Sequence, residues 1–101
     1  LVRVTRHLIC HPEDPSQLPE LSQIAGASPR TLERLFRAET GLSFRQWRSK
    51  LRLLSAIEAL NRGASSTTIA LSMGYSSPSA FIAAFREAFG TTPQRFLRNG
   101  S

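Results

Sequence analysis

The stretch Ser28–Gly41, SPRTLERLFRAETG, recurs in closely similar form as Ser77–Gly90, SPSAFIAAFREAFG. Ser-Pro opens both copies, Phe-Arg stands at the same place in each, and Gly closes both, at a constant offset of 49 residues. Serine is a favoured helix N-cap, proline suits the first helical position, and glycine commonly follows the last turn. Each copy therefore predicts one capped helix.

A short helical pattern precedes each copy and ends in a turn that contains glycine. Its apolar positions are Leu18, Leu21 and Ile24 before Gly26, and Ile69, Ala70 and Met73 before Gly74. Helix, tight turn and capped second helix form the pattern of a helix-turn-helix unit, whose second helix can enter the major groove of DNA. A helical hairpin that serves only as scaffold gives the same pattern, so the duplication strengthens the functional interpretation.

Three further helices are predicted, and no segment has the pattern of a strand. The first carries an apolar stripe of Leu1, Val2, Thr5, Leu8 and Ile9 and stops at His11-Pro12. The second opens with a capping box of Ser43 and Gln46 and runs to about Arg62, with an apolar face of Phe44, Trp47, Leu51, Leu54, Ile57 and Leu60. The third begins at Thr92-Pro93. We predict an all-α fold of about seven helices.

The long helix gives the repeat a physical reason. We predict a first helix-turn-helix subdomain over residues 1–42, a linker helix over 43–62 and a second subdomain over 63–101. A helix of about 20 residues is a rod of about 30 Å, and major grooves on one side of B-DNA recur every ~34 Å. Such a rod would let one chain place two recognition helices in adjacent major grooves.

Composition favours a polyanionic partner. Thirteen Lys and Arg against seven Asp and Glu give a net charge of +6, and twelve of those thirteen cations are Arg. Arginine suits bidentate binding of phosphate or guanine. The single Cys10 allows no internal disulfide, which fits a reducing compartment. The chain starts at Leu1 rather than Met, so we expect it to be part of a longer protein.

The sequence resembles the DNA-binding domain of the AraC/XylS family of bacterial transcription regulators. The matching segments are LPELSQIAG (18–26), SPRTLERLFRAETGLSFRQW (28–47), LRLLSAIEAL (51–60) and IALSMGYSSPSAFIAAFREAFGTTPQRF (69–96). The resemblance implies double-stranded DNA as partner, a cytoplasmic location on the bacterial nucleoid, and an activator role with RNA polymerase as a further partner. It also implies a small-molecule effector acting through a sensor domain that this chain lacks, and no cofactor.

The resemblance places the base-reading positions on the two recognition helices. In the first helix they are Arg30, Glu33 and Arg34, and in the second Ser79, Ile82 and Ala83. Arginine can bind guanine bidentately, glutamate can accept from cytosine, and Ile82 and Ala83 can touch thymine methyls. The alternative for Glu33 is an ion pair with Arg30 or Arg37.

Phosphate contacts are a separate prediction. Helix N-termini at Ser43 and Ser77 offer free N–H groups to an anion. The full set of predicted phosphate-binding residues is Thr31, Arg37, Ser43, Arg45, Arg48, Ser77 and Arg86, with Arg95 as a helper. For each arginine, a solvated surface charge is the alternative.

Other kinds of site have weaker patterns. His7, Cys10 and His11 share one helix face, a spacing that can hold zinc, but a fourth ligand would have to come from Glu13, Asp14 or elsewhere, so we predict packing by Ile9 and Cys10 and no metal. No phosphate-binding glycine loop, nucleophile elbow or acid–base pair is present, so we predict no enzyme.

Two rival functions remain. A helical protein-interaction module without base-specific DNA readout would more often expose apolar or aromatic side chains where this chain has Arg30, Arg34 and Arg37. A basic membrane-surface protein would concentrate its charge on one long amphipathic helix, whereas here it is spread over several capped helices.

Overall fold

The computed structural model describes the backbone of residues 1–100 and the side chains of residues 1–98. It contains seven helices: α1 (Val2–Cys10), α2 (Leu18–Ala25), α3 (Pro29–Thr40), α4 (Phe44–Asn61), α5 (Ser66–Ser72), α6 (Pro78–Phe89) and α7 (Pro93–Gly100). Over the described range there is no strand, which confirms the predicted all-α fold. None of the helices in this range is long and apolar enough to cross a membrane.

The chain forms two compact units, one over Leu1–Leu51 and one that begins at Arg52. In the first unit α1 packs on α2 and α2 on α3, and in the second α5 packs on α6 and α6 on α7. Helix α4 contributes its first turns to one unit and its last turns to the other. The division into 1–42, 43–62 and 63–101 stays a prediction.

The first unit is built around three aromatic residues. Its buried apolar residues are Val4, Leu8, Leu21, Leu32, Phe36 and Phe44. The ring of Phe36 lies 5.2 Å from that of Phe44 and 5.3 Å from that of Trp47, centroid to centroid. The edge-to-face contact with Phe44 and the tilted contact with Trp47 add to the apolar burial, so α3 and the start of α4 are fixed to one core.

The predicted apolar stripe of α1 was partly wrong. Val4 and Leu8 are the buried residues of this helix, whereas Val2 is 67% and Ile9 57% exposed. Cys10 is exposed too, so neither it nor Ile9 packs as predicted. Only one narrow side of the nine-residue helix meets the core, and Val4 shares that side with Leu8 because they are four residues apart.

The second unit is built around Phe85. Its ring lies 5.9 Å from that of Phe81, 4.7 Å from that of Phe89 and 5.5 Å from that of Phe96. The buried aliphatic residues of this core cluster are Leu53, Ala56, Leu60, Ile69 and Ala70. Leu54, predicted to face the core, is 60% exposed. The apolar face predicted for α4 therefore does not continue along the same side of the helix into this unit.

The two copies of the repeat start and end alike. Ser28 caps α3 and Ser77 caps α6, each through its side-chain oxygen. Gly41 and Gly90 end these helices at φ 75° and 74°. This left-handed conformation is unfavourable for residues that have a Cβ. The capping box of Ser43 and Gln46 forms as predicted. A second box, between Gln17 and Glu20 at the start of α2, was not predicted.

Candidate nucleic-acid interface

The start of α3 is capped by the side chain of Ser28. The Ser28 hydroxyl accepts from the Thr31 N–H at 3.2 Å and donates to the Thr31 hydroxyl at 3.0 Å. Pro29 occupies the first helical position. Thr31, a predicted phosphate contact, is thus half-buried and engaged with the cap through both its N–H and its hydroxyl. This arrangement fixes the direction in which the first turn of α3 points.

Burial of one side of α3 fixes what the other side presents. Leu32 and Phe36 are fully buried, and the three arginines of the helix, Arg30, Arg34 and Arg37, are exposed. Across residues 1–98 none of these three guanidinium groups forms an ion pair. They form a cationic surface with donors available to a ligand, as expected for base or phosphate contacts.

Glu33 lies in the same helix but points elsewhere. Its Oε2 accepts a hydrogen bond from the backbone N–H of Phe44 at 2.8 Å. The structure therefore places Oε2 of the carboxylate at the first turn of α4. Among the described residues, Glu33 does not form the ion pair with Arg30 or Arg37 that was the alternative. Sequence spacing on one helix gave no signal for this contact, because its partner lies eleven residues along the chain.

The second recognition helix, α6, presents little charge. The Ser77 hydroxyl accepts from the Ala80 N–H at 3.1 Å, so the cap is the counterpart of Ser28. Ser79 and Ala83 are exposed, whereas Ile82 is half-buried and packs against the core of the second unit. The exposed side of α6 thus offers one hydroxyl and one methyl at the predicted base-reading positions.

The predicted phosphate-binding arginines fall into two groups. Arg37, Arg45, Arg86 and Arg95 are exposed. Arg48 is 7% exposed, its guanidinium donates to the carbonyl of Ser16, and its Cζ lies 4.4 Å from the centroid of the Phe44 ring. Arg48 is thus placed inside the first unit, not on the surface that a phosphate contact needs. The signal was present in the sequence, because Arg48 follows Phe44 by four residues on the apolar face of α4.

Three N–H groups at the N-terminus of α4 are bonded to protein side chains. The Ser43 side chain accepts from the Gln46 N–H at 3.1 Å, and Gln46 Oε1 accepts from the Ser43 N–H at 3.0 Å. Glu33 takes the Phe44 N–H. These hydrogen bonds use donors that would otherwise attract an anion, so the structure offers less support for a phosphate at Ser43 than the sequence pattern did.

A polar cluster closes the loop after α1. The Asp14 carboxylate accepts from the Ser16 N–H at 2.8 Å and lies 2.5 Å from Nε2 of His7. The hydrogen bonds from Ser16 and then from His7 hold the pKa of Asp14 well below its ordinary value. His11 lies 3.7 Å from Glu13. In the part of the chain with described side chains, no group of three His, Cys, Asp or Glu residues is arranged to hold a metal ion.

Known proteins share both the sequence and the fold. Residues 21–99 match a family described as a helix-turn-helix domain. The HTH-type transcriptional regulator NimR of Escherichia coli is 43% identical over 82% of this chain and 32% of its own length. RipA of Corynebacterium glutamicum is 37% identical over 92% of this chain and 28% of its own length. The chain therefore spans about a third of the length of these two relatives.

Solved structures agree with these relatives. A transcriptional regulator of Chromobacterium violaceum with an AraC-type DNA-binding domain superposes with a TM-score of 0.87 at 29% identity, covering 94% of this chain and 86% of that one. The DNA-binding domain of AdpA, described as a global transcriptional factor and solved with a target DNA, gives 0.85 at 29% identity, with the same coverages.

Proposed function

The chain belongs to the AraC-type helix-turn-helix family of transcription regulators, and from that membership we propose that it binds double-stranded DNA sequence-specifically through α3 and α6. The observation that carries the proposal is the exposed row of Arg30, Arg34 and Arg37 on a recognition helix whose start is fixed by Ser28. Guanidinium groups on a rigid helix can read guanine edges in the major groove.

The two helices have different roles in this proposal. Arg30 and Arg34 read bases, and Arg37, Arg45 and Arg86 bind phosphates. Ser79 and Ala83 contribute a hydroxyl and a methyl to base readout in the second half of the site. We also propose that α3 and α6 enter adjacent major grooves, because the sequence repeats the helix-turn-helix pattern and a long helix lies between the two copies.

The finer parts of the function also rest on the family. We propose that the whole protein activates transcription in the bacterial cytoplasm, on the nucleoid, with RNA polymerase as a further partner. A small-molecule effector would act through a sensor domain outside this chain. The chain carries no catalytic role in this proposal.

Selection of bound fragments from a random DNA pool tests the proposal. The purified chain should enrich one motif. Its affinity for that motif should fall steeply as salt rises, because about 6–10 phosphate contacts release counterions on binding. Enrichment of no motif, or an affinity that stays flat between low and physiological salt, would contradict DNA binding as the function.

A further inference from the structure

The carboxylate of Glu33 joins the recognition helix α3 to the start of the following helix. Its Oε2 accepts from the N–H of Phe44, the first residue of α4, at 2.8 Å. The first N–H groups of a helix have no partner within the helix, and a negative charge there is also favoured by the helix dipole. Phe44 is also buried beside Phe36. The hydrogen bond and this ring contact therefore both join α3 to the start of α4.

In the second copy of the repeat, the residues that correspond to both partners of this contact are different. At the offset of 49 residues, Glu33 corresponds to Ile82 and Phe44 corresponds to Pro93. Proline has no N–H, so a carboxylate at residue 82 would find no donor at this place. Ile82 packs instead against the core of the second unit, and it lines one cavity of about 240 Å³ together with Pro93. The same position of each recognition helix therefore faces the start of the next helix.

Building on the DNA-binding function proposed above, we propose that Glu33 is a positioning residue and not a base-reading one. It holds the start of α4 against α3 and thereby sets the direction in which Arg30 and Arg34 leave the helix. Ile82 has the corresponding place in α6. The positive end of the α4 dipole also offsets part of the repulsion between this carboxylate and DNA phosphates. Base readout is then left to Arg30, Arg34, Ser79 and Ala83.

Three variants test this proposal. E33Q keeps a side-chain oxygen that can accept from the Phe44 N–H, and E33A removes it. E39A is the matched control, because Glu39 is an exposed carboxylate in the same helix and its removal changes the charge equally. Each variant is measured for thermal unfolding, for the motif it selects from a random DNA pool, and for its affinity toward the wild-type motif and toward unrelated DNA.

We expect E33A to lower Tm by about 4–8 °C, as loss of a helix cap does in a domain of this size. At a temperature where every variant is folded, its affinity for the motif should fall about fivefold, while its affinity for unrelated DNA stays unchanged. E33Q keeps the acceptor but not the charge that the helix dipole favours, so it should restore most of each loss. E39A should change neither quantity. All variants should select the same bases at every position.

Two results would overturn the positioning role. If Glu33 accepted from cytosine, E33Q would shift one base pair of the motif toward adenine, because glutamine pairs with adenine. If the contact only stabilised the fold, E33A would lower Tm without lowering affinity for the motif. Selection of no motif by the wild type would instead refute the DNA-binding function, and the unfolding temperatures would still report whether the contact forms.

Discussion

Replacement of Arg48 by alanine should destabilise the first unit and leave the salt dependence of DNA binding unchanged. The guanidinium lies inside that unit, where it donates to the Ser16 carbonyl and stands over the Phe44 ring. A hydrogen bond from a charged group contributes about 1.5–3 kcal/mol, and a desolvated cation–π contact about 2 kcal/mol. Because the truncated site can relax, we expect a loss of about 2–4 kcal/mol in the free energy of unfolding.

Urea unfolding followed by tryptophan fluorescence measures this loss of stability in the first unit. Trp47 is the one tryptophan of the chain and packs on Phe36 in the first core. Arg45→Ala is the matched control, because Arg45 is exposed on the same helix. It should change stability by no more than about 0.5 kcal/mol and lower the salt slope of DNA affinity by about one, as loss of one phosphate contact does.

The opposite result for Arg48→Ala would refute this reasoning. An unchanged unfolding midpoint together with a salt slope lowered by about one would mean that the guanidinium binds phosphate and not the Ser16 carbonyl.

Four further substitutions have distinct expected results. Arg34→Ala should weaken the base preference in one half of the selected motif by about 1–3 kcal/mol, whereas Arg86→Ala should weaken binding to all sequences alike, as site selection and salt titration would show. Because folding lowers the pKa of Asp14, its carboxylate stabilises the fold above about pH 4, and this contribution is lost as the pH falls further. Asp14→Asn should remove it, so circular dichroism should show lower stability than wild type at neutral pH and a smaller loss in acid. Phe85→Ala should cost about 3–5 kcal/mol by urea unfolding, because the ring is fully buried.

Local chemistry made the helix boundaries predictable. Ser28 and Ser77 cap the helix starts with their side chains, and Gly41 and Gly90 end the helices because they have none. The residues next to each boundary therefore suffice to predict it. The duplication then turned two weak helix-turn-helix patterns into one fold prediction, which the structure confirms.

Side-chain partners were harder to predict because they come from other elements. Glu33 has the charge and spacing of an exposed helix residue, yet its partner is the Phe44 N–H. Arg48 lies on the apolar face of α4, but that spacing does not show that its partner is the Ser16 carbonyl. Leu54 fits the apolar period of α4 but is exposed, because the last turns of this helix bury Leu53 in the second unit instead. Periodicity on one helix does not contain this information.

The repeat itself shows how the two recognition helices have diverged. Positions that build the framework keep their character, as Phe36 and Phe85 do in the two cores.

At the proposed base-reading positions, by contrast, Arg30 is matched by Ser79 and Arg34 by Ala83, so both arginines are absent from the second copy. The one outward arginine kept in both copies is Arg37, matched by Arg86, at a place suited to phosphate. The second unit thus keeps a guanidinium group at the phosphate position and has none at the base positions. It would still be attracted to DNA electrostatically, but it would form few hydrogen bonds to base edges. The second half of the site should then be read by thymine methyl contacts and by the shape of the DNA, while the first half carries the bidentate contacts.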